Sequence, residues 1–522
     1  MHSSIYDEKI WLKHYDNNVH ASLTYPQIPL YGLLENSVES HPHSIAISYL
    51  GNEISYTELD GLINKTANAL IKLNVKPGDR VALYLANTPQ FIISLYAILK
   101  VGAIGVPINP LYKDNEVLFE LEDANIETVI VMSRFYPLIQ RIREKSVLKN
   151  VIVTNVKDYF PWLTRQLFTI LKEKEDRVDI ERGDYDFQEL IEKSSLAKPN
   201  IRVKHDDIAL IQYTSGTTGV PKGVVLTHYN LVVNVLQCRR WVSDTQDAKE
   251  KVLGWLPFFH SFGMTACLGF TINCASTLVL IPNPHDLDYI LKTIEKEKIT
   301  ILPGVPTMYA ALGNYEKISK FHLNSIRACI SGGAPLMENV KKRFIELTGA
   351  KLVEGYGLSE ASPVTHANPI NGLNKENSIG LPFPDTECRV VDFEDIDKEV
   401  PIGEEGELVI KAPQVMRGYW NQKEITEETL RNGWLHTGDI VIMDSDGYFR
   451  VVDRKKDIII VKGFNVSPTE VEQVISTHPK VEESAVIGIP DEYRGEKVKA
   501  FVVMKEGESL DEKELLKYMK KR

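Results

Sequence analysis

The run Tyr213-Thr-Ser-Gly-Thr-Thr-Gly-Val-Pro-Lys-Gly223 lies between two apolar stretches, Ile208–Ile211 and Val224–Leu226, and constrains this chain more than any other segment. The first stretch reads as a short buried strand and the second opens another structured segment. Glycine has no Cβ, so a loop of this kind can turn many backbone N–H groups toward one point. Thr214, Ser215, Thr217 and Thr218 add hydroxyls around Gly216 and Gly219, and Lys222 adds a positive charge. That is the composition of a polyphosphate cradle, and equally that of a polar surface loop. It is not the common nucleotide loop. Counting G-x-x-x-x-G-K-[ST] from Gly216 puts Pro221 in place of the second glycine and Gly223 in place of the magnesium-binding hydroxyl.

A chain of 522 residues is too long for one core, so two or three domains are expected. Its 43% hydrophobic and 25% charged content is that of a soluble globular enzyme. A net charge of −11 argues against a nucleic-acid binder, which needs a basic surface. Five dispersed cysteines (Cys238, Cys267, Cys274, Cys329, Cys388), with no C-x-x-C pair, read as reduced buried thiols. The polar start, Met1–Asp16, is not a signal peptide, and Cys267–Ile281 is too interrupted by polar residues for a membrane span. A cytoplasmic protein is expected.

Along the chain, Thr57 with Asp60 reads as a capped helix start, with Leu59, Leu62, Ile63, Leu70 and Leu73 at helical spacing. A strand over Val81–Leu85, a helix over Pro89–Val101 and a strand over Ala103–Pro107 follow. This alternation predicts an α/β architecture with largely parallel sheets. Residues 159–175 carry an apolar stripe of Phe160, Leu163, Leu167, Phe168, Ile170 and Leu171 among basic residues. A helix on a membrane surface has that pattern, and so does one packed on its own domain. Glu173, Glu175 and Asp176 favour the packed helix, with peripheral membrane contact as the minority reading. From about Thr386 the chain becomes β-rich. It ends in a strand, a helix over Pro468–Thr477, two strands (Ser484–Ile489 and Val498–Met504) and a helix from Asp511, a small α+β lid.

Four further segments carry chemistry. In Glu354-Gly-Tyr-Gly-Leu-Ser-Glu360, Gly355 and Gly357 leave the Tyr356 face open for stacking on a base, followed by Ser359. Glu360 near phosphates is electrostatically wrong without an intervening cation, and magnesium suits that role; a plain turn before a helix near Ser359 is the alternative. Ser331-Gly-Gly-Ala-Pro335 is a second glycine-rich turn, either a simple connection or a wall, through Gly333 and Ala334, that approaches a ring edge. Trp434-Leu-His-Thr-Gly-Asp439 places a carboxylate where it can accept two ribose hydroxyls. Arg454 can reach the same sugar, although a surface ion pair explains Asp439 and Arg454 equally well.

The order and spacing of all five segments, from about Leu30 onward, resemble the adenylate-forming superfamily of acyl-CoA synthetases, adenylation domains and luciferases. The phrases Leu256-Pro-Phe-Phe-His-Ser-Phe-Gly-Met264, Glu354 to Asn368 and Asp453-Arg-Lys-Lys-Asp457 are similar to bacterial and archaeal medium- and long-chain fatty-acid–CoA ligases. The resemblance implies a large domain over residues 1–455, built of two α/β subdomains and a β-barrel-like subdomain, and a partial lid domain over 456–522. It implies ATP, magnesium and coenzyme A. Residues Thr214–Lys222 would cradle the β- and γ-phosphates, with Thr214 and Glu360 bordering magnesium. Gly333, Ala334 and Tyr356 would sandwich adenine, and Asp439 and Arg454 would hold the ribose. His260 matches the position beside the acyl pocket, Lys456 the hinge of the lid, and Lys462-Gly463-Phe464 the pantetheine path.

Relatives of this kind carry a second lysine in a Gly-Lys segment near the C-terminus, whereas this sequence stops at Arg522, before any such segment. A truncated sequence, or a lid incomplete and impaired in adenylation, is the expectation. A smaller departure is Ile460, where many relatives have lysine. The leading expectation is activation of a fatty acid followed by transfer to coenzyme A. An aryl-acid or other carboxylate ligase of the superfamily, or a non-catalytic nucleotide- or acyl-binding protein, are the alternatives. Oligomeric state is left open, a homodimer included.

Overall fold

The computed structural model describes residues 4–171, 176–214, 221–393, 395–396, 398–455, 457, 459–461, 464–491 and 495–519. The chain divides into two compact units. The larger is His14–Thr386 with Ala412–Glu428; the smaller gathers Met1–Lys13, Glu387–Lys411 and Thr429–Arg522.

The larger unit holds an eight-stranded and a nine-stranded sheet. In the first, Ile104–Pro107, Arg80–Tyr84, Thr128–Met132 and Asn150–Thr154 run parallel, as alternating strands and helices require. Their mostly buried, β-branched character fits strands covered on both faces. Ile208–Thr214 continues this sheet and turns back as the antiparallel Lys222–Thr227, which pairs in turn with Gly418–Tyr419. In the second sheet Lys251–Gly254, Ile301–Gly304, Ala328–Ser331 and Lys351–Gly357 are parallel neighbours. Val364–Ala367 then reverses onto the last of them. The expected α/β alternation is thus present. The helix Pro89–Lys100 buries every residue, which places it in the interior rather than on an outer face.

The smaller unit contains a five-stranded antiparallel sheet built from Glu387–Val391, Glu405–Lys411, Trp434–Met443, Phe449–Arg454 and Leu430–Arg431. It occupies the β-rich region where a barrel-like subdomain is expected. A four-stranded sheet with the helices Pro468–Ser476 and Glu512–Met519 follows it, giving the α+β pattern of the lid. The polar N-terminus belongs to this unit: Trp11 is buried and its ring meets Phe449 edge-on at 6.3 Å. All five cysteines are buried free thiols.

Two expectations are corrected. The helix expected to be capped by Thr57 and Asp60 begins two residues earlier, at Tyr56, and runs to Lys72. Ser55 is the cap because its hydroxyl accepts the Glu58 N–H (3.3 Å) while the Glu58 carboxylate accepts the Ser55 N–H (2.8 Å). The stripe within 159–175 is not packed away. Trp162–Leu171 is a helix whose Trp162, Leu163, Leu167 and Ile170 are 75%, 62%, 51% and 76% exposed. Phe168 of this helix meets Phe160 edge-on, Phe160 lies against Tyr49, and the Thr169 hydroxyl accepts from Lys157 Nζ (3.2 Å). Among the described residues no helix is long and apolar enough to cross a membrane.

The cap supplies a test. Ser55→Ala removes one member of the capping box and should destabilise that helix by about 1 kcal/mol. Hydrogen bonds from the Ser55 hydroxyl and amide hold the Glu58 carboxyl below its ordinary value. Its contribution is therefore full above the unfolded carboxylate pKa and is lost as pH falls through the folded one. Amide exchange at Tyr56–Glu58 should quicken in the variant at pH 7, with a smaller difference in acid. Equal exchange at both pH values would contradict the cap.

Candidate active site

In the larger unit the site is built where the two sheets end in glycine-rich turns. Thr214 closes one strand and pairs with Lys222, which opens the next, so the two ends of the candidate phosphate loop are neighbours. Ser215, Gly216, Thr217, Thr218 and Gly219 lie outside the described residues. Gly223 is fixed by packing: a Cβ there would come within 2.8 Å of Ile211 and 3.2 Å of Trp420.

Lys222 and Glu360 meet at a residue the sequence reading did not single out, Tyr419. Its hydroxyl donates to Glu360 Oε1 at 2.8 Å, and Lys222 Nζ stands 5.2 Å from its ring centroid. The segment around it is held by backbone bonds. Arg417 N–H donates to the Val225 carbonyl (3.0 Å), Trp420 N–H to Gly223 (2.7 Å) and Met416 N–H to Glu360 (2.7 Å). The signal was present in sequence as a second Gly-Tyr pair, Gly418-Tyr419, but nothing local ties it to residues some two hundred positions earlier.

Glu360 sits in a single 3-10 turn, Ser359–Ala361, rather than at the start of a longer helix. A Cβ at Gly357 would collide with the Pro363 carbonyl, so glycine is required for the chain to fold back there. Ser362 has a left-handed φ of 71°, held by its hydroxyl on the Gln414 carbonyl (2.8 Å) and by the Thr265 hydroxyl on its own carbonyl (2.7 Å). Gly355 and Tyr356 lie at the end of Lys351–Gly357, paired with Ala367 and His366, and the Tyr356 ring meets His366 edge-on at 5.8 Å. Burial raises the neighbouring Glu354 carboxyl to about 7.

The Gly333–Ala334 turn reaches the same place. A Cβ on Gly332 would stand 3.2 Å from the Phe262 ring and 3.5 Å from the Gly355 carbonyl, while Gly333 has φ +82°. Phe262 belongs to the His260 segment, which is gripped by two side-chain amides, half-buried Asn87 and buried Gln212. Asn87 accepts the Phe258 N–H (2.9 Å) and donates to the Leu256 carbonyl (2.7 Å); Gln212 donates to the Phe259 carbonyl (2.8 Å). Gln212 lies two residues before Thr214, so one strand positions both segments. Ser261 and Ser359 hydroxyls are 3.1 Å apart. His260 keeps an exposed edge, yet surrounding protein lowers its pKa, leaving a neutral imidazole at pH 7. A π-helical turn, Gly263–Gly269, follows.

Asp439 and Arg454 lie in the smaller unit on adjacent strands, with Arg454 Nε 3.2 Å from Asp439 Oδ1. Lys456, Lys462 and Gly463 lie outside the described residues.

The donor set suits the expected groups. Glu360 is a half-buried carboxylate whose Oε1 accepts the Tyr419 hydroxyl. Among the described residues no cluster of three or more His, Cys, Asp or Glu can hold a metal. A hard cation bound here therefore takes few protein oxygens, the manner of magnesium on phosphates. The glycines Gly332, Gly355 and Gly357 let the chain pack tightly against Phe262, Ile330 and the Pro363 carbonyl, where a Cβ would intrude.

Comparison with known proteins agrees. Residues 34–420 match the AMP-binding enzyme family and 470–522 its C-terminal domain. The chain is 41% identical over 513 residues to a long-chain-fatty-acid–CoA ligase of Bacillus subtilis, covering 97% of this chain and 91% of that protein. It is 34% identical to a feruloyl-CoA synthase of an Amycolatopsis species, covering 92% of this chain and 90% of the other. Among solved structures it is similar to ATP-bound MatB of Rhodopseudomonas palustris, with a TM-score of 0.85, 30% identity, and 95% and 92% of the two chains covered. The chain belongs to the AMP-binding enzyme family.

Proposed function

We propose that this protein is an ATP-dependent, AMP-forming fatty-acid–CoA ligase. The observation that carries the proposal is the convergence of Lys222 and Glu360 on Tyr419, beside the paired ends of the phosphate loop. Relatives of nearly equal length that are named long-chain-fatty-acid–CoA ligases support it.

In this reading Thr214–Lys222 hold the β- and γ-phosphates, and Thr214 and Glu360 border magnesium. The bound ion would supply positive charge to phosphate oxygens that a carboxylate otherwise repels. Gly333, Ala334, Gly355, Tyr356 and Gly357 enclose adenine, Ser359 lies beside the reacting phosphate, and Asp439 and Arg454 hold the ribose. The fatty-acid carboxylate attacks the α-phosphorus, and the bond to pyrophosphate breaks with its electron pair on the leaving group. Lys222 and the loop donors stabilise that departing charge. Neutral His260 stands beside the carboxylate without adding a proton or a charge. In the second half-reaction the coenzyme A sulfur attacks the acyl carbonyl and AMP leaves. Lys456 as hinge, and Lys462 with Gly463 along the pantetheine path, complete the proposal, with the lid beginning at Lys456.

The acyl slot is assigned to Phe258–Met264, Val305–Ala311 and Gly355–Pro363. Phe262, half-buried, offers it apolar surface, while Tyr309 is fully buried behind it with its hydroxyl on the Leu302 carbonyl. The feruloyl-CoA synthase similarity keeps an aryl-acid substrate as the second reading.

A peripheral contact with the bilayer surface through Trp162–Leu171 is part of the proposal, favoured by the exposure of Trp162, Leu163, Leu167 and Ile170. Such a face buries into the headgroup boundary with a tryptophan at its edge. The protein should sediment with phospholipid vesicles, and Trp162→Ser with Ile170→Ser should release it at unchanged activity toward short, soluble acids. Vesicle binding unaffected by the double variant would exclude this helix.

Two kinetic tests follow from the site. Each methylene buried in the slot is worth about 0.8 kcal/mol, so kcat/KM for acid-dependent pyrophosphate release should climb several-fold per carbon until the slot is full. Preference for benzoate or ferulate over decanoate or palmitate would instead establish the aryl reading. Tyr419→Phe removes a hydrogen bond to a charged group, about 1.5 kcal/mol, and should lower kcat/KM for Mg-ATP about tenfold without unfolding. Full activity in Tyr419→Phe would remove Tyr419 from the site.

A further inference from the structure

Asp439 is presented by an irregularity in its strand. Glu405–Lys411 pairs with Trp434–Met443, with Glu407 opposite Ile440 and Val409 opposite His436. Three residues, Thr437, Gly438 and Asp439, therefore stand opposite the single Leu408. Bulges of this kind re-aim a side chain beside active sites. Gly438 adopts φ +71°, and a Cβ there would meet nothing, so it is the backbone conformation that selects glycine.

One side chain ties the bulge down. Glu407 is 5% exposed, and its Oε1 accepts the Gly438 N–H at 3.1 Å. His436 Nδ1 lies 3.5 Å from the same oxygen. Oε2 is 3.2 Å from Lys455 Nζ, and the Lys455 N–H donates to the Gly438 carbonyl at 2.9 Å. Within the bulge the Thr437 hydroxyl donates to the Leu408 carbonyl (2.7 Å) and accepts the Asp439 N–H (3.1 Å). A buried carboxylate costs desolvation, so its placement requires an explanation. Burial works to raise the Glu407 carboxyl, yet His436 and Lys455 outweigh it and hold the group below its ordinary value.

We infer that Glu407 is a positioning residue for nucleotide recognition: by accepting the Gly438 N–H it fixes the Thr437–Asp439 bulge, whose Gly438 carbonyl in turn accepts the Lys455 N–H and so joins the bulge to the Arg454–Lys455 segment. The inference rests on the proposed reading of Asp439 as the ribose ligand. Both partners in that reading, Asp439 and Arg454, are set by the same carboxylate. Asp439 follows Gly438 directly and Arg454 precedes Lys455.

The test compares ATP with 2′-deoxy-ATP and 3′-deoxy-ATP in wild type, Asp439→Ala, Glu407→Asp and Glu407→Gln, with folding checked by circular dichroism. Wild type should prefer ATP by at least about tenfold, the value of a hydrogen bond to a charged group, and Asp439→Ala should abolish the preference. Glu407→Asp keeps the charge but withdraws the carboxylate by one methylene from Gly438. It should lose most of the preference, with the effect falling on the nucleotide KM rather than kcat. Glu407→Gln keeps an acceptor at full reach and should retain it. A merely charge-pairing role predicts the reverse, aspartate tolerated and glutamine damaging. That reverse pattern, or any pattern in which the two variants behave alike, would overturn the inference. Retention of the preference in Asp439→Ala would show instead that the ribose reading is wrong, and the inference would fall with it.

Discussion

A carboxylate and an ammonium group, Glu360 and Lys222, are both held on one tyrosine ring, and the proposed site in the larger unit is organised around it. Glu360 is held in place by a tyrosine hydroxyl rather than by a lysine or arginine, which would neutralise it. Lys222 lies over the face of the same ring. Tyr419 thus fixes both charges without letting them cancel, and leaves each able to act on something bound between them. The strap that carries Tyr419 is itself fixed by three backbone hydrogen bonds, to Glu360, Gly223 and Val225. Backbone bonds of this sort do not titrate and are not screened by salt, so the geometry does not depend on the charges it presents.

The rest of the larger site repeats that logic with amides and hydroxyls. Asn87 and Gln212 grip the Leu256–Phe259 backbone, and Ser261 approaches Ser359, so the His260 segment is held by neutral groups. Glycines at 332, 355 and 357 let backbone approach backbone where a side chain would intrude. The cost appears at Ser362, a left-handed serine stabilised by Gln414 and Thr265. In the smaller unit the same economy takes an ionic form, with one buried glutamate seating a strand bulge.

How much of this was legible in the sequence follows from the range of each signal. The glycine-rich stretch Thr214–Lys222, the Gly355–Gly357 turn and the Asp439 turn are marked by local composition, and their roles belong to the proposed function; the alternation of strand and helix is periodic and is present in the fold. Tyr419 and Glu407 could not be read in this way, because each acts on partners distant in sequence and no local pattern marks them. The helix cap was misplaced by two residues since Thr57 and Asp60 fit the same pattern as Ser55 and Glu58; the bonds actually formed decide between them. The stripe at Trp162–Leu171 is legible as an amphipathic helix, but amphipathicity gives the apolar face and not what covers it.

The central claim is that Glu360 and Lys222, held by Tyr419, form one magnesium-nucleotide site. Calorimetric titration of ATP with and without magnesium, in wild type and in Glu360→Gln, tests it most directly. Wild type should bind ATP more tightly with magnesium than without, and Glu360→Gln should abolish that difference while retaining metal-free binding, since removing the carboxylate also removes its repulsion of phosphate. An undiminished magnesium effect in Glu360→Gln would contradict the account.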